Sequence, residues 1–248
     1  MTVRRFGTGP EIVWLHGLGE WSISFDAIAR HTGLEGFAHT LADLPGYGRS
    51  PWPEIDDSAG DSLERIAAQL ARWLESRPPA VLVGHSMGGV LATMVAERIA
   101  VRAVVDIDGN LSRGDCTFSA QASGYTLHDF VTHGFTAMRS DVYARAGDDL
   151  ALRGYHAAMC TASPIVFHRN AVDLVAASVT ETLAPRLAAL RAPSLFVAGV
   201  PDGICEYSCR LLDQNRVRWI GIEPAGHWVY IDQADAFADA VAGFVREL

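Results

Sequence analysis

Four apolar residues, Ala80-Val81-Leu82-Val83, run unbroken into Gly84-His85-Ser86-Met87-Gly88-Gly89, and a stretch rich in Ala, Val, Leu and Met follows to about Ile99. An apolar run of this kind predicts a parallel strand covered on both faces. The stretch after it predicts a helix. The pattern between them, G-x-S-x-G, leaves no residues for a loop, so the chain must reverse sharply with Ser86 at the apex in a strained backbone conformation. Side chains two positions either side of the serine would collide, which accounts for glycine at 84 and 88. The hydroxyl is then expected to stand above the sheet edge. The Met87 N–H would lie in the first turn of the helix, where it can donate to a developing oxyanion.

The rest of the chain repeats the strand–helix alternation. Ile12–Leu15 is a short buried strand ending at His16-Gly17-Leu18-Gly19, and Phe37–Ala42 is a second, ending at Asp43-Leu44-Pro45-Gly46-Tyr47-Gly48. From Asp61 to Ser76 the apolar residues Leu63, Ile66, Ala67, Leu70 and Leu74 recur at helical spacing, with Asp61 and Glu64 resembling a capping box and Pro78-Pro79 as a stop. Val101–Ile107, Pro193–Ala198 and Val217–Ile222 predict further strands, and the chain from Gln233 predicts a helix with Phe237, Val241, Phe244, Val245 and Leu248 on one face. Such alternation predicts a mostly parallel α/β sheet flanked by helices. Residues 110–190 break the rhythm: they carry no convincing buried strand and hold many of the histidines and aromatics. A helical insertion is the expected reading, because a structureless stretch of that length is foreign to a compact domain. The division expected is a core of residues 1–110 and 191–248 with a helical cap at 111–190.

Composition narrows the chemistry. Among 248 residues the net charge is −9, and no residue is lysine, so all twenty Lys+Arg positions are arginine. Schiff-base, pyridoxal-phosphate and phosphate-loop lysines are thereby excluded. The acidic balance argues against a nucleic-acid partner. No apolar run reaches the roughly 18–20 residues of a membrane span, and MTVRRFGTGP lacks an apolar signal-peptide core, so a cytoplasmic protein is expected. Cys116, Cys160, Cys205 and Cys209 match no zinc spacing and are expected to be free thiols.

A serine hydroxyl needs a base. His227, in Pro224-Ala225-Gly226-His227-Trp228, follows the last strand. Loops at the carboxyl ends of parallel strands share one crevice, so His227 can face Ser86. His16 is read as structural, His31 and His39 as surface or packing residues, and His85 as pointing away from the cleft. Histidines of the insertion are read as solvated or satisfied in its core.

The chain at this point resembles the α/β-hydrolase superfamily. The resemblance rests on His16-Gly17, Asp43-Leu44-Pro45-Gly46-Tyr47-Gly48-Arg49-Ser50, the Ser86 turn, Gly199-x-x-Asp202 and Gly226-His227, and so spans nearly the whole length. It implies an α/β-hydrolase fold with a helical cap after the sixth strand, which matches the odd segment. It also implies that the Leu18 N–H supplies a second oxyanion donor. The triad acid, which orients the histidine and stabilises its imidazolium, stands in the family's usual position at Asp202. Some members draw it from the end of the preceding strand, here Asp108; both stay candidates, with Asp202 preferred. Asp106 is less well placed, Asp115 more distant still, and Asp43 is read as ordering its own turn. Trp21 and Trp228 flank the expected cleft as candidate substrate contacts.

The resulting expectation is a cofactor-independent serine hydrolase of a carboxylic ester or lactone, acting on a small, hydrophobic substrate through an acyl-enzyme on Ser86, with no metal. Serine at position 86 disfavours the branches that use an aspartate nucleophile. Carbon–carbon bond hydrolases, thioesterases, haloperoxidases, acyltransferases and non-hydrolytic members (ligand receptors, lyases, cyclisation catalysts) remain as alternatives. Oligomeric state is not readable.

Overall fold

The computed structural model describes residues 1–52 and 62–248. Seven strands form one sheet: β1 (Thr2–Gly7), β2 (Glu11–Leu15), β3 (Ala38–Asp43), β4 (Val81–His85), β5 (Ala103–Ile107), β6 (Ser194–Asp202) and β7 (Trp219–Gly226). Their spatial order is β1-β3-β2-β4-β5-β6-β7. Among the described residues only β1 runs antiparallel, against β3; every other pairing there is parallel.

The apolar runs lie where continuous hydrophobicity predicts. Every residue of β4 and β5 is buried, as is Ile12–Leu15 of β2. These central strands are covered on both faces, which is why their sequences do not alternate. The edge strand β1 escapes sequence reading because it is half-exposed and carries Arg4 and Arg5 among apolar neighbours. Charge on an edge strand also discourages pairing with another chain. Arg4 is tied down by Asp26 at 2.6 Å.

Helices of six residues or more are α1 (Leu63–Glu75), α2 (Met87–Ala96), α3 (Phe118–Ser123), α4 (Phe135–Ala146), α5 (Leu150–Met159), α6 (Pro164–Ser178), α7 (Leu183–Ala188), α8 (Glu206–Gln214) and α9 (Ala234–Arg246). Helix α1 buries Leu63, Ile66, Ala67, Leu70 and Leu74, the periodic set, and its N-cap is Ser62, whose hydroxyl accepts from the Arg65 N–H. Asp61, the first half of the expected capping box, lies outside the described residues.

Between β5 and β6 the described residues carry helices joined by short turns, and no strand, from Arg113 to Ala188. Among the described residues five strands precede this insertion, where the resemblance implies six. The physical reason is at the amino end. Only Thr8, Gly9 and Pro10 separate β1 from β2, so one edge strand stands before the central sheet. The insertion has an aromatic centre of its own in Phe130, Phe135 and Phe167, with ring centroids 5.4–5.7 Å apart. It is fastened to the sheet side where Ser163 N–H donates to the Gly46 carbonyl (2.8 Å) and Asn170 Nδ2 to the Tyr47 hydroxyl (2.9 Å).

Candidate active site

Parallel strands deliver their following loops to one end of the sheet. Gly17–Glu20 follows β2, Ser86 follows β4, Asp108–Asn110 follows β5, Gly203 follows β6 and His227 follows β7. Ser86 has φ 54° and ψ −120°, a left-handed conformation at the N-cap of α2. Its N–H donates to the Ile107 carbonyl at 2.8 Å, which pins the apex to the neighbouring strand. A β-carbon at Gly84 would stand 2.1 Å from the Gly88 carbonyl oxygen, and one at Gly88 would stand 2.0 Å from the Leu15 carbonyl oxygen. Backbone fills both spaces, so glycine is required at both.

Ser86, Leu18, Asn110, Phe118, Tyr155, His227 and Trp228 line one narrow cavity, together with Gly17, Glu20 and His85. Ser86 Oγ donates to Asn110 Oδ1 at 3.4 Å, and Asn110 Nδ2 donates in turn to the Asp115 carbonyl at 3.0 Å. Met87 is buried at the first position of α2, the turn whose N–H groups have no intrahelical acceptor. Trp21 lines a separate groove on the far side of Tyr155 and Trp228 and does not border the Ser86 cavity.

His227 Nδ1 lies 3.1 Å from the Gly203 carbonyl oxygen. A carbonyl only accepts, so Nδ1 carries the proton and the Nε2 lone pair is left free. Burial, and then the neighbouring His85 ring, hold the ring down to about 4, against the opposing pull of the Gly203 carbonyl. The imidazole is therefore neutral at pH 7, in the tautomer that a general base requires.

The two candidate acids are placed differently. Asp202 is exposed at the end of β6. Asp108 is fully buried with φ 46°, and its carboxylate accepts from the Gly199 N–H at 3.0 and 3.2 Å. A β-carbon at Gly203 would fall 2.4 Å from Asp108 Oδ1, so this carboxylate packs directly on the residue whose carbonyl holds His227. Burial pushes the Asp108 carboxyl well up, and the Gly199 N–H opposes it. Neither acid bonds to His227 itself; the Gly203 carbonyl takes that place. Asp115 is consumed by local donors, the N–H groups of Leu111, Ser112 and Cys205 and the Ser208 hydroxyl. Asp43 accepts from Ser22 N–H and Arg49 N–H and orders its loop. Asp106 faces away from the cavity, against Gly89 and Gly109.

Besides Trp21, two residues depart from what the sequence predicts. His85 does not point away from the cleft: it lines the cavity, with its ring centroid 4.6 Å from that of His227. Strand alternation puts a residue next to the serine on the opposite face, but the sharp turn at Ser86 breaks that alternation. Glu20 is the second, a member of the site that sequence reasoning does not single out. It is buried and receives Gly17 N–H (2.7 Å), Trp228 Nε1–H and His85 Nδ1–H (3.0 Å). The one signal in the sequence is an acid inside an otherwise apolar glycine turn, but its partners lie 65 and 208 positions away. His16, by contrast, is structural as expected, accepting Leu44 N–H at Nε2 and facing its neighbour's carbonyl at Nδ1. All four cysteines are free thiols. Among the described residues no group of three or more His, Cys, Asp or Glu side chains is placed to hold a metal ion. No helix among them is long and apolar enough to cross a membrane.

A seven-stranded, mostly parallel sheet with a strained serine at a strand-to-helix turn and a histidine after the last strand defines an α/β-hydrolase. The model of the alpha/beta hydrolase family matches residues 12–240, and the chain belongs to that family. Among curated relatives, a pimeloyl-[acyl-carrier protein] methyl ester esterase of Aeromonas salmonicida is 38% identical over 96 residues, 39% of this chain and 35% of that protein. The chain thus spans about a third of the length of the curated relatives it matches. An esterase from Exiguobacterium antarcticum shares the fold with a TM-score of 0.79 at 18% identity, over 98% of this chain and 94% of that one. An enol-lactonase from Burkholderia xenovorans does so with 0.74 at 20% identity, over 99% and 96%.

Proposed function

We propose that the protein is a cofactor-independent serine hydrolase of a carboxylic ester or lactone. The observation that carries this reading is the left-handed Ser86 at the head of α2, sharing one narrow cavity with a neutral histidine whose Nε2 is free. Ser86 Oγ attacks the substrate carbonyl while His227 Nε2 takes its proton. The carbonyl oxygen becomes an oxyanion held by the Leu18 and Met87 N–H groups, each donor contributing about 3 kcal/mol in comparable sites. His227 then returns the proton to the leaving alkoxide, and the same ring activates water to release the acid. The names of the esterase and lactonase relatives support ester chemistry.

Asp108 is the acid of choice. Its burial and its packing on Gly203 support a role behind the imidazolium, whereas Asp202 faces solvent. Phe118, Tyr155, Leu174 and Trp228 give the cavity apolar walls, which favours a small hydrophobic or mixed substrate. Residues 111–190 act as its cap, since Phe118, Tyr155 and Leu174 all come from that segment.

The test is labelling by a fluorophosphonate together with turnover of a panel of esters and lactones of graded acyl length. Wild type should label and hydrolyse; Ser86→Ala should do neither while keeping the wild-type far-UV circular dichroism and melting curve. A folded wild-type protein that stays unlabelled and inert across the panel would defeat the proposal in favour of a non-hydrolytic member of the fold.

A further inference from the structure

Glu20 and His85 form a buried hydrogen-bonded pair that the serine chemistry does not itself use. Both residues are about 1% exposed, and their closest atoms are 3.0 Å apart. Burying two charges is costly unless they are paired and their remaining hydrogen-bonding atoms are satisfied. Here they are. Glu20 Oε2 accepts from His85 Nδ1 and Gly17 N–H, and Oε1 accepts from Trp228 Nε1–H and, at 3.4 Å, from the Tyr230 hydroxyl. On the other side of the ring, His85 Nε2 lies 2.7 Å from the carbonyl oxygen of His227. A carboxylate and a carbonyl both accept and neither donates, so only a ring protonated on both nitrogens satisfies both contacts.

We propose that Glu20 and His85 act as positioning residues, a carboxylate–imidazolium clamp that ties the oxyanion turn at Gly17 to the backbone of His227 and keeps that histidine neutral. The clamp rests on the hydrolase reading of Ser86 and His227. Its mechanical part is direct: one pair touches Gly17, next to the Leu18 donor, and the peptide of the general base itself. Its electrostatic part follows from placement. A cation 4.6 Å from the His227 ring disfavours a second positive charge there. Burial first and the His85 charge second lower His227, and Glu20 opposes them more weakly. Burial resists ionisation of Glu20, but the His85 charge and the hydrogen bonds from His85, Gly17 and Trp228 prevail and hold its carboxyl down to about 2. The other charged or titratable groups near His227 are Asp115, Asp108 behind Gly203, Asp232 on the Gly226 N–H, and Asp202 and Cys205 in the outer groove. Around the pair itself stand His16, Tyr155 and Tyr230.

Two measurements test the clamp. The first needs no activity. In wild-type protein with 15N-labelled histidine, the His85 ring should carry protons on both nitrogens at pH 7, and the His227 ring on Nδ1 alone. A singly protonated His85 overturns the proposal whatever the protein hydrolyses. The second is the pH dependence of fluorophosphonate labelling at Ser86 for wild type, Glu20→Gln and His85→Gln. Labelling of wild type should persist down to about pH 4, where His227 gains its proton. Loss of the imidazolium raises that limit, so the acid limb should move up by about a pH unit or more in His85→Gln. Glu20→Gln, which removes the reason for the second proton on His85, should move it in the same direction by less. Both variants should also label at least about tenfold more slowly at pH 7, since both loosen the turn that carries the oxyanion donor. Variants that merely melt earlier, with acid limbs unmoved, would make the pair a structural brace and overturn the proposal. A wild type that never labels defeats the hydrolase reading instead, and the protonation of the His85 ring then decides the pair by itself.

Discussion

A methyl group at position 88 is the smallest change that tests how the serine is held. Its carbon would lie 2.0 Å from the Leu15 carbonyl oxygen, a backbone atom with nowhere to rotate, so β2 and the Ser86 turn would have to part. Overpacking of this kind costs about 1–3 kcal/mol, more where backbone must move. Gly88→Ala should therefore lose about 3 kcal/mol in urea denaturation and most of its labelling at Ser86; wild-type stability would show that the turn yields cheaply. The acid is decided at the same scale. Asp108→Asn keeps the shape and removes the ionisable carboxyl behind Gly203, and kcat on an activating ester should fall by about 10³-fold or more. Asp202→Asn, at an exposed position, should stay within about threefold of wild type. Equal losses would reject the choice of Asp108. Ser86, His227 and the glycines are legible from sequence because their constraints are local: a turn too short for side chains and a loop just past a strand. The Glu20–His85 pair and the carbonyl that holds His227 are not. Those contacts join loops whose spacing in sequence carries no trace of their approach.

At the scale of elements, legibility follows burial. Strands β2 and β4 announce themselves by unbroken apolar runs, and β5 by one interrupted only at Asp106, because helices cover both faces, whereas β1 is half-wet and arginine-bearing and gives no such signal. The insertion is recognisable by the absence of strands, and its aromatics divide into two jobs that composition alone cannot separate. Phe118 and Tyr155 reach the cavity wall. Phe130, Phe135 and Phe167 pack on one another and are buried. Truncating Phe167 should open a void within that cluster, and large-to-small changes of this type cost about 3–5 kcal/mol. Phe167→Ala should show that loss by urea denaturation, with an early transition from the insertion when intrinsic fluorescence and far-UV circular dichroism are compared. A loss under about 1 kcal/mol would fall below what a void of this size costs, and would mean the helices of the insertion are held by their contacts with the sheet and not by their own centre.

Across the whole molecule, one buried carboxyl should leave its mark on the pH dependence of stability. Asp106 sits at the centre of the sheet under α2, with Oδ1 lacking a partner and burial pushing its carboxyl up to about 8 against the opposing Gly109 N–H. In the unfolded chain the same group titrates near 3.8. Between those values the folded protein keeps a proton that the unfolded chain has released, so the group's contribution is fully present below about pH 3.8 and is lost as pH rises through 8. Other groups, including Asp108 and His227, add their own dependences, so the isolating measurement is a difference. Asn at position 106 has nearly the same shape and cannot ionise. The stability of Asp106→Asn relative to wild type should therefore increase steadily from about pH 4 to about pH 8 and level off above it, with the remaining pH dependence common to both proteins. Urea denaturation at half-unit intervals across that range measures the difference directly. A gap that does not change with pH would mean that Asp106 ionises in the folded protein as readily as in the unfolded chain, against its dry position under α2 with one carboxyl oxygen unpartnered.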